Sequence, residues 1–510
     1  MSVVKARPAA DVGPNPGRPL LNQPEVWAAL SLAVLYIAVM SGHSYSIDGV
    51  LMYRQATSIV QNLSLSFQTP IHWGGVFTTS RYGIGLSVLY LPGVALLSIA
   101  GLHPVSPSSA SYDWALFYRD VVYTISAAPV HILVTAATAY LVARLVRDLG
   151  YGSRIALLSL ASFGIASPAF VYSRGDFAQP LLGLCFVVGL LGAVHYRRSG
   201  GYLAQIAMYA SLLMAVLARP VEGSLLLPAL LVLIGLEHRH GRWAVARHGS
   251  LLVTVATYVL AVIVTLAINW GRFGSPFNTG YTGQINWSTP VWIGVPGVLL
   301  SPARGIIWQF PLIVLAPLGF WRLRQSENQI AALVMAALVV MLFLNTALWV
   351  PWWGAWSWGS RLFVPAWPLV AVLASVGVAR LRPSVRVWLV ACLFAGGVLW
   401  AVPGILTDLL GGYASAYDGS TQSFALSGYP PIGAWTFLHH LRANDMADSN
   451  AIDILWFRLA RNTANLSLLV PAILLPSAVA LGFRAIRLAS GSWQRISVSE
   501  EGGQPAQAKG

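Results

Sequence analysis

Ser44-Tyr-Ser-Ile-Asp48-Gly-Val-Leu-Met-Tyr-Arg54-Gln-Ala-Thr57 follows the first long apolar run of a 510-residue chain. Met52, Ala56, Ile59 and Leu63 fall on one helical face, and Arg54, Thr57, Ser58 and Gln61 fall on the other. This spacing predicts a short amphipathic helix. Such a helix lies along a membrane surface rather than crossing it. Asp48 is then expected at the water boundary, beside a basic residue and above an apolar platform.

Composition sets the frame for that helix. The chain is 56% hydrophobic and 9% charged, with a mean hydropathy of +0.66, against about 25% charged residues in a soluble globular protein. Apolar runs of spanning length recur almost throughout. The reading is an all-α, polytopic integral membrane protein. The formal charge of +14 does not indicate nucleic-acid binding, because the basic residues lie in short loops between apolar runs and form no patch. Cys185 and Cys392 both sit inside apolar runs, so neither a disulfide framework nor a cysteine metal site is predicted.

Spans are expected at roughly 26–43, 119–143, 155–173, 179–196, 202–218, 222–236, 249–269, 305–321, 329–348, 361–379, 387–403 and 466–488, about twelve crossings. Residues 82–101 form one further uncharged run that spans by length alone. With that run held in the outer interface, the cytoplasmic side collects roughly 20 of the basic residues; if it crosses, only about 12 remain there. The positive-inside rule therefore makes it a re-entrant or interfacial helix pair, and Gly83, Gly85, Pro92 and Gly93 suit that better than an ideal span. Residues 1–24 are expected to be a disordered cytoplasmic tail, 25–488 a single transmembrane unit, and 489–510 a second disordered cytoplasmic tail. Residues 43–118 then form a long first outer loop and 403–465 the last, with short surface helices expected around 435–441 and 452–459.

Sidedness separates the charges into two kinds. Inner loops hold ordinary solvated arginines. The outer face holds single charges at span ends: Asp48, Arg54, Arg81, Arg119, Asp120, Arg174, Asp176, Arg219, Glu222, Arg272, Arg304 and Arg361. Ionisable groups at that depth are costly and tend to be functional. Structural readings stand beside the functional ones. Asp48 and Asp176 both precede helices and suit N-caps. Arg119–Asp120 suits a snorkelling charge beside a helix end. Arg219-Pro-Val-Glu222 suits a tight turn with a local ion pair, and the tryptophan-rich run 349–358 an interfacial aromatic belt. His72 has no second ligand nearby in sequence, so no metal site is predicted.

Four stretches together resemble the GT-C superfamily of polytopic glycosyltransferases, in particular the bacterial branch of the group that contains protein O-mannosyltransferases and lipid A aminoarabinose transferases. They are Asp48-Gly-Val-Leu-Met-Tyr-Arg-Gln-Ala; Arg81-Tyr82-Gly-Ile-Gly-Leu; Tyr140-Leu-Val-Ala-Arg-Leu-Val-Arg with Ser173-Arg-Gly-Asp176; and Ser301-Pro-Ala-Arg-Gly with Trp352-Trp-Gly-Ala-Trp-Ser-Trp-Gly-Ser-Arg361. The resemblance implies a GT-C-like fold and an inverting enzyme that moves a sugar from a polyprenyl phosphate to an acceptor hydroxyl or amine on a lipid, glycan or protein. It implies an active site on the outer face of a bacterial inner membrane. A phosphate ester leaves without protonation, so the second carboxylic acid of glycoside hydrolysis is dispensable. Asp48 would be the base, and Asp176 would orient the acceptor or the surroundings of Asp48. Arg81, Arg304, Arg54 and Arg361 would hold the phosphate with Tyr82. Gly49 follows Asp48 directly, and the second motif carries one carboxylate. Both depart from the metal-dependent oligosaccharyltransferase pattern, so no cofactor is expected and a divalent metal is not indicated. A transporter or flippase for a lipid-linked substrate is the alternative, though it needs polar or broken helices at mid-membrane depth. An O-antigen-ligase-type enzyme is another, and His439, His440 and Arg442 suit it.

Overall fold

The computed structural model describes residues 19–41, 46–70, 76–102, 121–236, 242–281, 286–355, 357–407, 419–433, 453–460 and 463–501. His72, Arg119, Asp120, Trp356, the 435–441 helix, His439, His440 and Arg442 lie outside them. The principal helices are α1 (Pro24–Ala38), α2 (Ile47–Asn62), α3 (Gly85–Ile99), α4 (Val121–Asp148), α5 (Ser153–Ile165), α6 (Gln179–Ser199), α7 (Tyr202–Ala218) and α8 (Leu226–Gly235). They continue with α9 (Arg242–Phe273), α10 (Val291–Leu300), α11 (Ala316–Arg324), α12 (Gln329–Leu348), α13 (Trp367–Val378), α14 (Pro383–Leu406), α15 (Leu455–Ala460) and α16 (Leu469–Glu501). One two-residue antiparallel pairing, Thr69↔Phe77 and Pro70↔Val76, closes the loop after α2.

Seven helices among the described residues are long and apolar enough to cross a membrane: Val122–Asp148, Gln179–Ser199, His248–Phe273, Gln329–Leu348, Arg361–Val378, Pro383–Leu406 and Leu466–Ser490. The protein is an integral membrane protein. The other expected crossings at 26–43, 155–173, 202–218 and 222–236 coincide with shorter apolar helices. The run at 305–321 is broken into Ile306–Gln309, a 3-10 turn at Pro311–Leu315, and α11. Pro311 and Pro317 remove the backbone donors that one continuous helix would need. The helix Arg361–Val378 is almost wholly enclosed, whereas α9 and α16 turn most of their apolar surface outward, as a lipid-facing rim requires. α16 continues to Glu501, past the expected boundary at 488.

The run 82–101 becomes one helix, α3, with Pro92 inside it. Fifteen residues rise about 22 Å, short of the ~30 Å hydrocarbon core. Its entry lies against the end of α7. A Cβ on Gly83 would stand 2.2 Å from the Ala218 carbonyl oxygen, and one on Gly85 2.8 Å from the Ala218 Cα. Only glycine permits this approach, which fixes where Arg81 and Tyr82 emerge.

Two expectations are corrected here. α2 does not show a polar face to water: residues 49–58 are buried all round, Arg54, Gln55, Thr57 and Ser58 included. The chain after α2 folds back over that face. The Gln55 amide donates to the Leu65 carbonyl (2.9 Å), Ser58 Oγ to the Ser66 carbonyl (2.6 Å), and Thr79 Oγ1 to Gln55 Oε1 (3.3 Å). Two tryptophans of the 349–358 run are likewise core residues rather than part of a surface belt. Trp352 and Trp358 are each 1% exposed. Trp358 packs on Trp400 with ring centres 5.4 Å apart, and the Trp352 indole N–H reaches Ser420 Oγ at 3.2 Å.

Candidate active site

The start of α2 is a designed junction. Ser46 is its N-cap, with Oγ accepting from the Gly49 N–H at 3.0 Å. Asp176 accepts from both the Ser46 N–H (3.3 Å) and Ser46 Oγ (2.9 Å), and from the Tyr123 hydroxyl at 3.0 Å. Asp176 thus sits at a helix N-terminus, where a carboxylate is favoured, but the helix is α2 rather than its own successor. It packs so closely that a Cβ on Gly49 would lie 2.3 Å from its Cβ and Cγ. A second acidic side chain after Asp48 has no room there.

With the first turn so fixed, Asp48 is directed away from Asp176. Its Oδ1 accepts from the Tyr82 hydroxyl at 2.7 Å, and its Oδ2 pairs with Arg361 Nη1 at 3.0 Å. Both members of that ion pair keep some exposure, 13% for the Asp48 side chain and 16% for that of Arg361. The Arg81 Nε lies 3.4 Å from the Tyr82 hydroxyl, so it is one hydrogen bond removed from Asp48, and its guanidinium stacks 5.2 Å over the Tyr281 ring. Arg361 stacks 5.0 Å over Phe177. Burial, reinforced by the neighbouring Asp48 carboxylate, pushes the Tyr82 phenol well above its ordinary pKa. Tyr82 therefore remains a proton donor to Asp48 throughout the physiological range. Burial and Asp48 raise Tyr281 in the same sense.

The structure brings Asp48, Arg81, Tyr82 and Arg361 into one contact cluster. It sets three other candidates apart from it. Asp176 is 3% exposed and engaged with Ser46 and Tyr123. Arg54 is buried within α2, so the basic partner of Asp48 comes from residue 361, 313 positions away. Arg304 is fully buried and donates to backbone carbonyls of the 355–359 loop. The local pair Arg219–Glu222 forms as the turn reading expects, at 2.6–2.9 Å. Burial opposes the Arg219 charge, but the Glu222 carboxylate outweighs it and raises its pKa, with smaller support from Tyr281 and Asp48.

Arg272, a span-end charge without an assigned role in the sequence, reaches the backbone of Tyr82. From the last turn of α9 its Nη1 donates to the Tyr82 carbonyl at 2.8 Å, while its Nε and Nη2 are buried with no hydrogen-bond partner among the described residues. An anionic oxygen would complement such donors. Arg174 plays a different part. Its side chain and that of Asp453 are both fully buried and form an ion pair at 2.9 Å. Arg174 also donates to the carbonyls of Gly404, Ile405 and Asp453, which staples the end of α14 and the segment before α15 to the Asp176 turn. Among the described residues no group of three or more His, Cys, Asp or Glu side chains is placed to hold a metal ion.

Comparison with solved structures bears on the fold. The chain shares the fold of the GT-C membrane glycosyltransferases. One such structure is ArnT from Cupriavidus metallidurans bound to undecaprenyl phosphate, which matches with a TM-score of 0.50 at 15% identity over 92% of this chain and 78% of that one. The Archaeoglobus fulgidus oligosaccharyltransferase in the apo form is similar with a TM-score of 0.46 at 13% identity, over 83% of this chain and 58% of that one. The arabinofuranosyltransferase AftD from Mycobacteria is similar with a TM-score of 0.43 at 14% identity, over 83% and 28%. No protein-family model and no curated protein sequence matches the chain.

Proposed function

We propose that the protein is an inverting glycosyltransferase that moves a sugar from a polyprenyl-phosphate donor to an acceptor hydroxyl or amine at the outer face of the membrane, in a bacterial inner membrane with both termini cytoplasmic. One observation carries this reading. A partly exposed carboxylate, Asp48, is held between a phenol and a guanidinium, with two further arginines immediately behind Tyr82.

The chemistry asks for two things that such a cluster supplies. The acceptor must lose a proton as its oxygen or nitrogen attacks the anomeric carbon, and Asp48 is the base for it. The departing polyprenyl phosphate must be held by fixed positive charge, which needs no proton from the protein. Arg81 and Arg361 supply it, with Arg272 joining them through its unmatched donors. Attack opposite the leaving phosphate inverts the sugar in a single displacement. Asp176 sets Asp48 in place through Ser46, and the second acidic motif then needs no direct contact with substrate. The lipid-phosphate ligand of the similar ArnT structure supports a donor of that chemical class.

The donor half of this reading is tested by binding of undecaprenyl phosphate to the purified protein in nanodiscs, followed by native mass spectrometry. A charge-assisted hydrogen bond contributes roughly 1.5–3 kcal/mol, so Arg81→Gln and Arg272→Gln are each expected to weaken binding about 10- to 100-fold. Arg322→Gln, on the opposite end of the bundle by the expected sidedness, should leave it unchanged. Equal affinity in all three variants would remove the phosphate site from this cluster.

A further inference from the structure

Ser301-Pro-Ala-Arg304-Gly enters the structure as a support for the loop that ends in Arg361. The Arg304 guanidinium is fully buried, so no substrate oxygen reaches it. Its Nη1 donates to the carbonyls of Ser357 and, at 3.2 Å, Gly359, and its Nη2 donates to the carbonyl of Ala355 at 3.3 Å. The remaining carbonyl of this segment among the described residues, that of Trp358, accepts from the Tyr172 hydroxyl at 2.9 Å.

Alternate carbonyls converge on one guanidinium because the backbone is left-handed at Gly354 (φ 81°), Ala355 (φ 52°) and Gly359 (φ 64°). Arg304 is itself anchored, since Ser360 Oγ and the Gln309 amide both donate to its backbone carbonyl. One residue beyond this coil, Arg361 meets Asp48 and Phe177. The fork of a guanidinium serves three acceptors at once; a lysine ammonium is a point charge and cannot reproduce it.

We propose that Arg304 is a positioning residue, which shapes the 354–360 loop so that Arg361 rests against Asp48, and that it makes no contact with substrate. The proposal rests on the glycosyltransferase reading for its kinetic consequence, but not for its structural one. A displacement near 1 Å in a reacting group costs on the order of 10²-fold in rate. Arg304→Lys is therefore expected to lower kcat/KM for the donor by about 10- to 100-fold.

Two variants and two readouts test it on the full-length protein. Gly359→Ala leaves every charge in place but brings a Cβ to 2.7 Å from the Gln309 side chain in a left-handed backbone position. Labelling by phenylglyoxal, followed by peptide mass spectrometry, reports how freely Arg361 is reached. In both variants Arg361 should be labelled several-fold faster than in the wild type, with Arg81 unchanged. The Arg304→Lys/Arg361→Lys double variant should transfer sugar no more slowly than Arg361→Lys alone, because both act through one contact. Unchanged Arg361 labelling, or losses that multiply in the double variant, would overturn the positioning role. Faster Arg361 labelling in a protein whose wild type transfers no sugar would leave the positioning role standing and refute the glycosyltransferase reading.

Discussion

Asp48→Asn is expected to lower sugar transfer by about 10³-fold, the middle of the range for loss of a general base, or ~4 kcal/mol in the barrier. The substitution is nearly isosteric and leaves the fold-determining contacts of α2 alone. Ser46 still caps the helix, Asp176 still accepts from Ser46, and the buried stretch after Gly49 is untouched. An asparagine oxygen still accepts from Tyr82, while Arg361 keeps its stack on Phe177. The melting temperature of the purified variant should therefore stay near that of the wild type while turnover disappears. Turnover retained at the wild-type level would show that some other group takes the acceptor proton.

The second large effect is on stability. Asp453→Ala removes the anion from an ion pair whose two side chains are both fully buried. Breaking such a pair from one side typically costs about 3–5 kcal/mol, because the remaining charge stays buried without its partner. Arg174→Met should cost at least as much, since it also strips the donors from the carbonyls of Gly404, Ile405 and Asp453. Thermal unfolding in detergent measures both. The loss should extend to activity even though neither residue touches Asp48. The pair ties the segment before α15 to the turn that carries Asp176, and Asp176 in turn locates the start of α2. An unchanged melting temperature for Asp453→Ala would mean that the segment before α15 is held by its other contacts alone. These include the Leu455 N–H to the Met40 carbonyl and the Asp453 N–H to the Leu406 carbonyl, both at 2.9 Å.

Local signals in the sequence are enough to find most of the long apolar helices and to single out Asp48 among the charges. Apolar runs near 20 residues mark spans whatever the tertiary structure, and Asp48 stood out because a lone acid at a span end needs a reason. Arg219–Glu222 was legible because the pair lies three residues apart in one turn. The partners of Asp48 and Arg174 were not, because 313 and 279 residues separate them from Arg361 and Asp453. Nothing in spacing alone selects among a dozen span-end charges. Periodicity also misplaced the polar face of α2: a helix with polar and apolar sides looks the same whether water or a folded-back loop covers the polar one. The Leu65 and Ser66 carbonyls and the Thr79 hydroxyl supply the partners that make burial affordable. Arg304 was misread for a related reason. An arginine at the head of an uncharged span suits an anion site as well as a set of loop carbonyls, and only the three left-handed residues in the facing loop distinguish them. The single carboxylate of the first acidic motif gains a physical cause from the same geometry, since Asp176 occupies the space that a side chain at position 49 would need.

The most direct measurement is release of polyprenyl phosphate. Purified wild-type protein and the Asp48→Asn variant would each be incubated with a panel of polyprenyl-phosphate sugars and an envelope lipid extract as acceptor, with the freed lipid phosphate followed by mass spectrometry. Wild-type protein should release polyprenyl phosphate from at least one donor, and the variant should release almost none. No release from any donor, or equal release by both proteins, would contradict a lipid-phosphate-dependent sugar transfer centred on Asp48.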